Sequence, residues 1–263
     1  SRRIDMEVQR QFASSYPSPW LRVNSTPPRR ADAGDQVVYR LAKSRVDFEG
    51  AFRILQQRYA ESGLTPNVGA RLRVMPYHFW PSTQVFVALE KDRVIGSVSL
   101  VRDERSHGLP MESTYPEAIG RLRADGLLVG EVCCLCVGSE KSRSSGELFA
   151  GLTRIMMFHA RHMDLDALVA VVHPRHGKFY RHAMGFSEIG GLSAYRQVGG
   201  QPGVPILGQV KDDSRYRDRW KRNYFVGDFT AEELQPHPMT MIDREYFRRH
   251  LSSMPEKRSR RSA

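Results

Sequence analysis

Apolar positions change their spacing along this chain, and the changes mark out its elements. Gln36 to Leu41 is a short apolar run that reads as a first strand. From Phe48 the apolar residues return every three to four positions, at Phe48, Phe52, Leu55 and Tyr59. That period predicts an amphipathic helix, with Ser44 placed to cap its start and Gly63 to close it. Pro66 to Pro81 has no period and reads as a loop rich in aromatics. Gln84–Leu89 and Val94–Val101 are strand-like runs joined by Lys91-Asp92, the turn of a hairpin. A helix over Tyr115 to Leu122 comes next, ended at Gly126.

Leu127 to Val137 (LLVGEVCCLCV) is continuously apolar, as a strand buried on both faces should be. A loop with Lys141, Arg143, Ser144, Ser145 and Gly146 leads into a helix whose Leu148, Leu152, Ile155 and Met156 share a face. Strand, small-residue loop and helix N-terminus together make a natural phosphate site, because free backbone N–H groups and the helix dipole point at it. Ala167–Val172 reads as a strand and Gly177–Met184 as a helix closed by Gly185; Phe186–Ile189 and Pro205–Val210 read as further strands. The ends differ. Residues 1–34 form a Pro-, Ser- and Arg-containing arm, 35–210 the main domain, and 211–263 a helical, basic extension.

Charge adds the next constraint. The 263 residues carry a formal net charge of +11, which implies an acidic partner. No apolar run is long enough to span a bilayer and no signal peptide is read at the start, so a cytoplasmic protein without a transmembrane segment is expected. The cysteines, Cys133, Cys134 and Cys136, share one strand, which suits small buried hydrophobes better than a bridge or a metal site, and no metal is expected.

One acid, Glu131, lies inside the apolar strand. An unpaired buried carboxylate is expensive, so it has a raised pKa and serves as a base, or it pairs with a cation such as Arg53 or Arg58. The aromatic–basic stretch YRDRWKRNYF, Tyr216 to Phe225, raises a second class, nucleic-acid binding, against which stands the lack of any nucleic-acid motif.

The R-x-x-G loop at Arg143–Gly146 and the F-Y-x-x-x-x-G-F run from Phe179 to Phe186 resemble the acyl-binding half of the GNAT N-acyltransferases. The resemblance implies an α/β fold, a mixed central sheet flanked by helices. FEGAFRILQQRYAESGL, GSVSLV, GLPMES and EVCCLCV are similar to the long-chain N-acyl amino acid synthases, N-acyl-tyrosine synthases among them, which are allied to the acyl-homoserine lactone synthases. This second resemblance implies transfer of a long-chain acyl group from acyl carrier protein to the amine of a free amino acid, tyrosine, with the acyl-phosphopantetheine as donor and no bound cofactor. Homoserine-lactone synthesis and CoA-dependent acetylation keep the same fold and stand as alternatives.

The resemblance also distributes roles. Glu131 is the candidate base, a backbone N–H at Cys136 or Val137 the oxyanion donor, and Tyr180 the acid, or else a packing aromatic beside Phe179. Arg143, Ser144, Ser145 and Gly146 would hold the phosphopantetheine phosphate. Leu148 replaces the family's usual small residue and is expected to crowd a second phosphate. Lys141, Arg154, His159 and Arg161 around the loop, and Arg175, Lys178, Arg181 and His182 on the next helix, would face the carrier. Met75, Tyr77, Phe79, Trp80, Phe86 and Met111 are candidates for an acyl or acceptor pocket, and Arg73 and Arg102 for the acceptor carboxylate.

Overall fold

The computed structural model describes residues 37–65, 69–138 and 144–251. The arm of residues 1–34, the tail beyond residue 251, and Lys141 and Arg143 lie outside the described residues. Strand β1 (Val38–Leu41) is followed by helix α1 (Arg45–Glu61), strands β2 (Thr83–Glu90) and β3 (Arg93–Arg102), helix α2 (Pro116–Ala124) and strand β4 (Val129–Val137). Then come α3 (Ser145–His162), β5 (Ala167–Val172), α4 (Pro174–Met184), β6 (Ser187–Glu188), β7 (Ser193–Tyr195) and β8 (Gln201–Gln209). Helices α5 (Asp218–Phe225) and α6 (Met241–Arg248) close the described chain.

Local chemistry explains most of these boundaries. Ser44 caps α1 by accepting from the Asp47 amide, and the Asp47 carboxylate accepts in turn from the Ser44 amide at 3.0 Å. Such a box contributes about 1 kcal/mol. Lys91 and Asp92 both adopt left-handed backbone, φ 49° and 62°, as the twist-matched two-residue hairpin requires. Gly185 ends α4 at φ 70°, and a Cβ there would stand 2.1 Å from the Arg215 carbonyl oxygen. Only glycine meets both demands.

The sheet runs β1-β2-β3-β4-β5-β8-β6, with β7 on β8. The pairs are antiparallel except β4–β5, which is parallel, its crossover made through α3. On one face α3 lays Leu148, Leu152, Ile155 and Met156 against Phe86, Val98 and Leu100. Each such side chain is worth about 1.5–3 kcal/mol when fully buried. On the other face α1 packs Phe48 and Phe52 on Val85 and Val87, and α2 packs Ile119 near Val101 and Val169.

Two expectations change here. Residues 211–251 do not stand off from the domain: Tyr216, Trp220, Tyr224 and Leu234 join the α3-side core, and Met239 and Phe247 the α1-side core. Their apolar residues are few but large, so a polar average hid a buried stripe. The last long strand begins at Gln201 rather than Pro205, because Pro202 and Pro205 are accommodated within it.

Candidate active site

β4 and β5 pair only from Val129–Ala167 to Glu131–Val169. Past that point β4 carries a bulge against β3: its register shifts between Ser97 and Ser99, and Cys134 takes φ 54°. The strands then part. A cavity of about 450 Å³ fills the gap, bounded by Val132, Cys134 and Leu135 of β4 and by Ala170 to Val172 of β5. Helix α4 closes it with Phe179 and Tyr180, the β7–β8 hairpin with Tyr195, and the C-terminal segment with Arg219 and Trp220. Gly146, at the start of α3, reaches its wall.

Glu131 is 1% exposed. Its Oε2 accepts from the Met111 amide at 2.7 Å and its Oε1 from the Tyr195 hydroxyl at 3.1 Å. Burial pushes the pKa up to about 7, and those bonds together with the Cys133 thiol pull against it. Arg53 and Arg58 are not its partners; they pair with Glu49 and Glu61, each at 2.6 Å. The Glu131 pKa is thus raised toward neutral, and although Glu131 does not line the cavity itself, its Oε1 is bonded to the hydroxyl of Tyr195, which does. Sequence reasoning missed Tyr195, because residues 190–200 show no period.

Tyr180 lines the cavity among Phe149, Phe179 and Phe186, with ring centroids 6.4, 5.5 and 5.5 Å away. Burial raises its pKa, so its hydroxyl stays protonated and able to donate. Val137 pairs with Gly96 and is 1% exposed in the core; it does not reach the cavity. The bulge is the reason. Its extra residue brings Cys134, Leu135 and Cys136, not Val137, to the wall.

At the phosphate loop, Ser144 caps α3: its hydroxyl accepts from the Glu147 amide at 3.2 Å, and its own amide donates to Glu147 Oε2 at 3.1 Å. Those groups are occupied, and the Glu147 carboxylate stands at the helix N-terminus. Ser145 and Gly146 begin the helix with first-turn amides, the kind that have no partner within it. Leu148 does not crowd this site; it is 0% exposed and points into the core.

The cations divide. Arg154 donates to the Asn223 and Val226 carbonyls at 2.7 and 2.8 Å, and Arg161 to those of Val210 and Tyr224. Both satisfy carbonyls at the end of α5, which an α-helix cannot satisfy itself, so these two cations are engaged in holding that helix. His159 is likewise inward, bonded to the Leu234 carbonyl at 2.8 Å. Arg175 and Lys178 lie on α4 and Arg175 lines the cavity, while Arg181 pairs with Glu188 at 3.3 Å and His182 is exposed on the same helix. Arg58 and Arg219 join Arg175 at the cavity, which sequence spacing did not reveal.

The aromatic loop is mostly core. Met75 is buried, Phe79 packs at the α1-side core, and Trp80 meets Tyr77 edge-on; none lines the cavity. Phe86 packs under α3, and Met111 contributes its amide to Glu131. Tyr77 comes closest, its hydroxyl 2.9 Å from the Cys134 sulfur. Arg102 is half-exposed and pairs with Glu104 at 2.6 Å, whereas Arg73 is buried and donates to the Gln197 carbonyl at 3.0 Å. Trp220 and Tyr224 of the aromatic–basic stretch are buried, so they offer no stacking face to a nucleic acid.

A mixed sheet with one parallel pair, β4–β5, splayed by a bulge and helices on both faces is a GNAT-like fold. The family model for N-acyl amino acid synthase FeeM matches residues 50–207, more than half of the chain, and the protein belongs to that family. Among solved structures, FeeM itself, an N-acyl amino acid synthase from uncultured soil microbes, is 22% identical, with a TM-score of 0.59 over 73% of this chain and 96% of that one. The acyl-homoserine lactone synthase LasI is 14% identical, TM-score 0.55, over 75% and 98%. MesI, a CoA-dependent acyl-homoserine lactone synthase, is 16% identical, TM-score 0.52, over 73% and 97%. These structures share the fold. No curated protein matches the chain by sequence. Among the described residues no helix is long and apolar enough to cross a membrane, and no group of His, Cys, Asp and Glu could hold a metal ion.

Proposed function

We propose that the protein moves a long-chain acyl group from the phosphopantetheine thioester of acyl carrier protein to the α-amine of a free amino acid, with tyrosine as acceptor. The observation that carries this reading is the β4–β5 cavity, which has a tunable carboxylate behind one wall and a protonated tyrosine in another. An amine must lose a proton before it can attack a thioester carbonyl. Glu131 accepts that proton, through Tyr195 or one water. The nitrogen then bonds to the carbonyl carbon, and a backbone N–H of the 134–136 bulge donates to the oxygen that becomes negative. As the intermediate collapses, the carbon–sulfur bond breaks, the leaving thiolate takes the Tyr180 proton, and the second proton of the attacking nitrogen passes to the Tyr180 oxygen directly or through water, which restores the phenol. The products are an amide and a free thiol.

The carrier reading rests on charge. Arg175 and Arg219 at the cavity, with Lys178 beside them on α4, form a cationic rim suited to an acidic protein and sensitive to salt. Glu147 occupies the Ser144 N–H and sets a carboxylate at the helix start, which works against a doubly charged pyrophosphate more than against a single phosphate. The test is mass spectrometry of products formed from long-chain acyl carrier protein and a mixture of all common amino acids. N-acyl-tyrosine as the dominant new mass supports the reading; lactone products from S-adenosylmethionine, or no acylated amino acid, would overturn it.

A further inference from the structure

A buried cation near the cavity, Arg73, has no anionic partner among the described residues. Arg73 is 5% exposed and its guanidinium lies 4.8 Å from the Tyr59 ring centroid, yet it forms no ion pair among the described residues. Its Nη2 donates to the Gln197 carbonyl at 3.0 Å, while its Nε has no hydrogen-bond partner among the described residues. An arginine cannot escape burial by giving up its proton, so an isolated buried guanidinium calls for an anion. Beside it the Gln197 side chain, 8% exposed, leaves its Oε1 without a partner among the described residues as well. That amide is oriented by its own Nε2, which donates to the Pro110 carbonyl at 3.4 Å. A donor on Arg73 and an acceptor on Gln197 are thus without partners among the described residues, on two residues joined by the Arg73–Gln197 carbonyl bond.

Their place in the fold ties them to the chemistry. Gln197 lies in the short turn Arg196–Val198, directly after Tyr195, whose hydroxyl holds Glu131. Pro110, which accepts from Gln197, is followed by Met111, whose amide donates to Glu131. One turn and one peptide unit therefore connect the orphaned pair to the base. Tyr59, Tyr195 and Val198 line the cavity, so the pair sits one side chain behind its wall.

We propose that Arg73 and Gln197 form the subsite for the amino-acid backbone of the acceptor. Arg73 Nε–H takes the α-carboxylate, Gln197 Oε1 takes an N–H of the α-amine, and turning of the Tyr59 ring opens the way. The subsite deepens the reading of the protein as an N-acyl amino acid synthase and rests on it. It sets specificity for α-amino acids over simple amines, and it holds the nitrogen where Glu131 can take its proton through Tyr195 or one water.

The experiment compares kcat/KM for tyrosine with that for tyramine, which lacks the carboxylate, using one acyl carrier protein donor. Arg73→Gln should lower the tyrosine value by about 100-fold and the tyramine value far less, because a site built for a charged group discriminates strongly. Arg73→Lys keeps the charge and moves the donor; it should lower the tyrosine-to-tyramine ratio about tenfold, and it serves if Arg73→Gln does not fold. Gln197→Met should raise KM for both acceptors with kcat less affected. Equal losses for tyrosine and tyramine in the Arg73 variants, or an unchanged ratio, would overturn the subsite alone. A wild-type protein that acylates no amino acid would overturn the functional reading and the subsite with it.

Discussion

Glu131→Gln exchanges one carboxylate oxygen for an amide nitrogen and leaves the side chain the same size. It imitates the protonated acid: the amide oxygen still accepts from Met111, and the NH₂ can donate toward Tyr195 in place of the acid O–H. If Glu131 is the base, kcat should fall by about 100-fold or more, a loss of about 3 kcal/mol in transition-state stabilisation. Wild-type kcat/KM should rise with pH through about 7 as the carboxylate ionises, and the variant should lack that limb. Stability gives a second handle. The unfolded pKa is 4.5 and the folded one about 7, so between them the folded chain keeps a proton that the unfolded chain has lost. Stability is therefore fully present below pH 4.5 and is lost as pH rises through about 7, by about 3 kcal/mol for this group. Gln does not titrate. Relative to wild type, the variant should gain stability from about pH 5 to about pH 8 by up to that amount, at about 2–4 °C in Tm per kcal/mol. The assays are timed product formation by mass spectrometry and thermal melts across that range. Near-wild-type turnover in the folded variant would remove Glu131 from the mechanism. A Tm difference that does not move with pH would refute its raised pKa.

Tyr195→Phe removes a bond that holds the Glu131 pKa down, so the rising limb of the pH profile should shift to higher pH; an unmoved limb would mean that the hydroxyl does not tune the base. Tyr180→Phe should slow transfer from alkyl thioesters about tenfold or more and affect aryl thioesters little, because an aryl thiolate leaves without a proton; equal slowing of both would make Tyr180 a packing residue. Arg154→Ala strands two carbonyls at the end of α5 and should cost about 1–3 kcal/mol of stability while leaving KM for the carrier unchanged. Arg175→Glu should do the reverse, and a raised KM in Arg154→Ala with an unchanged Tm would contradict the assignment of these two cations.

Period and capping chemistry made most of the fold legible. The spacing of Phe48, Phe52, Leu55 and Tyr59 pointed to α1, and Leu148, Leu152, Ile155 and Met156 to α3, because a helix that covers a sheet needs a continuous apolar stripe. Glu131 was visible as a lone acid in an apolar strand. Register and long-range bonds were not visible. The bulge at Cys134 carries no glycine to announce it, so the strand end was read at Cys136 or Val137, of which only Cys136 reaches the cavity wall, together with Cys134 and Leu135. Arg154 and Arg161 looked like surface cations until α5 supplied carbonyls far along the chain. Tyr195 and Gln197 lie in a stretch without period, and only the sheet brings them to Glu131 and Arg73.

The choice of donor is the most direct test of the proposed reaction. With one long acyl chain and tyrosine as acceptor, rates from acyl carrier protein and from the matching acyl-CoA are measured side by side at low and at moderate salt. The self-capped start of α3, with the Glu147 carboxylate beside the amides, disfavours a pyrophosphate, and the cationic rim favours an acidic protein. The expected result is a carrier preference above about tenfold in kcat/KM, which needs only about 1.4 kcal/mol, and a preference that shrinks as salt rises. Equal efficiency with acyl-CoA, unaffected by salt, would contradict it.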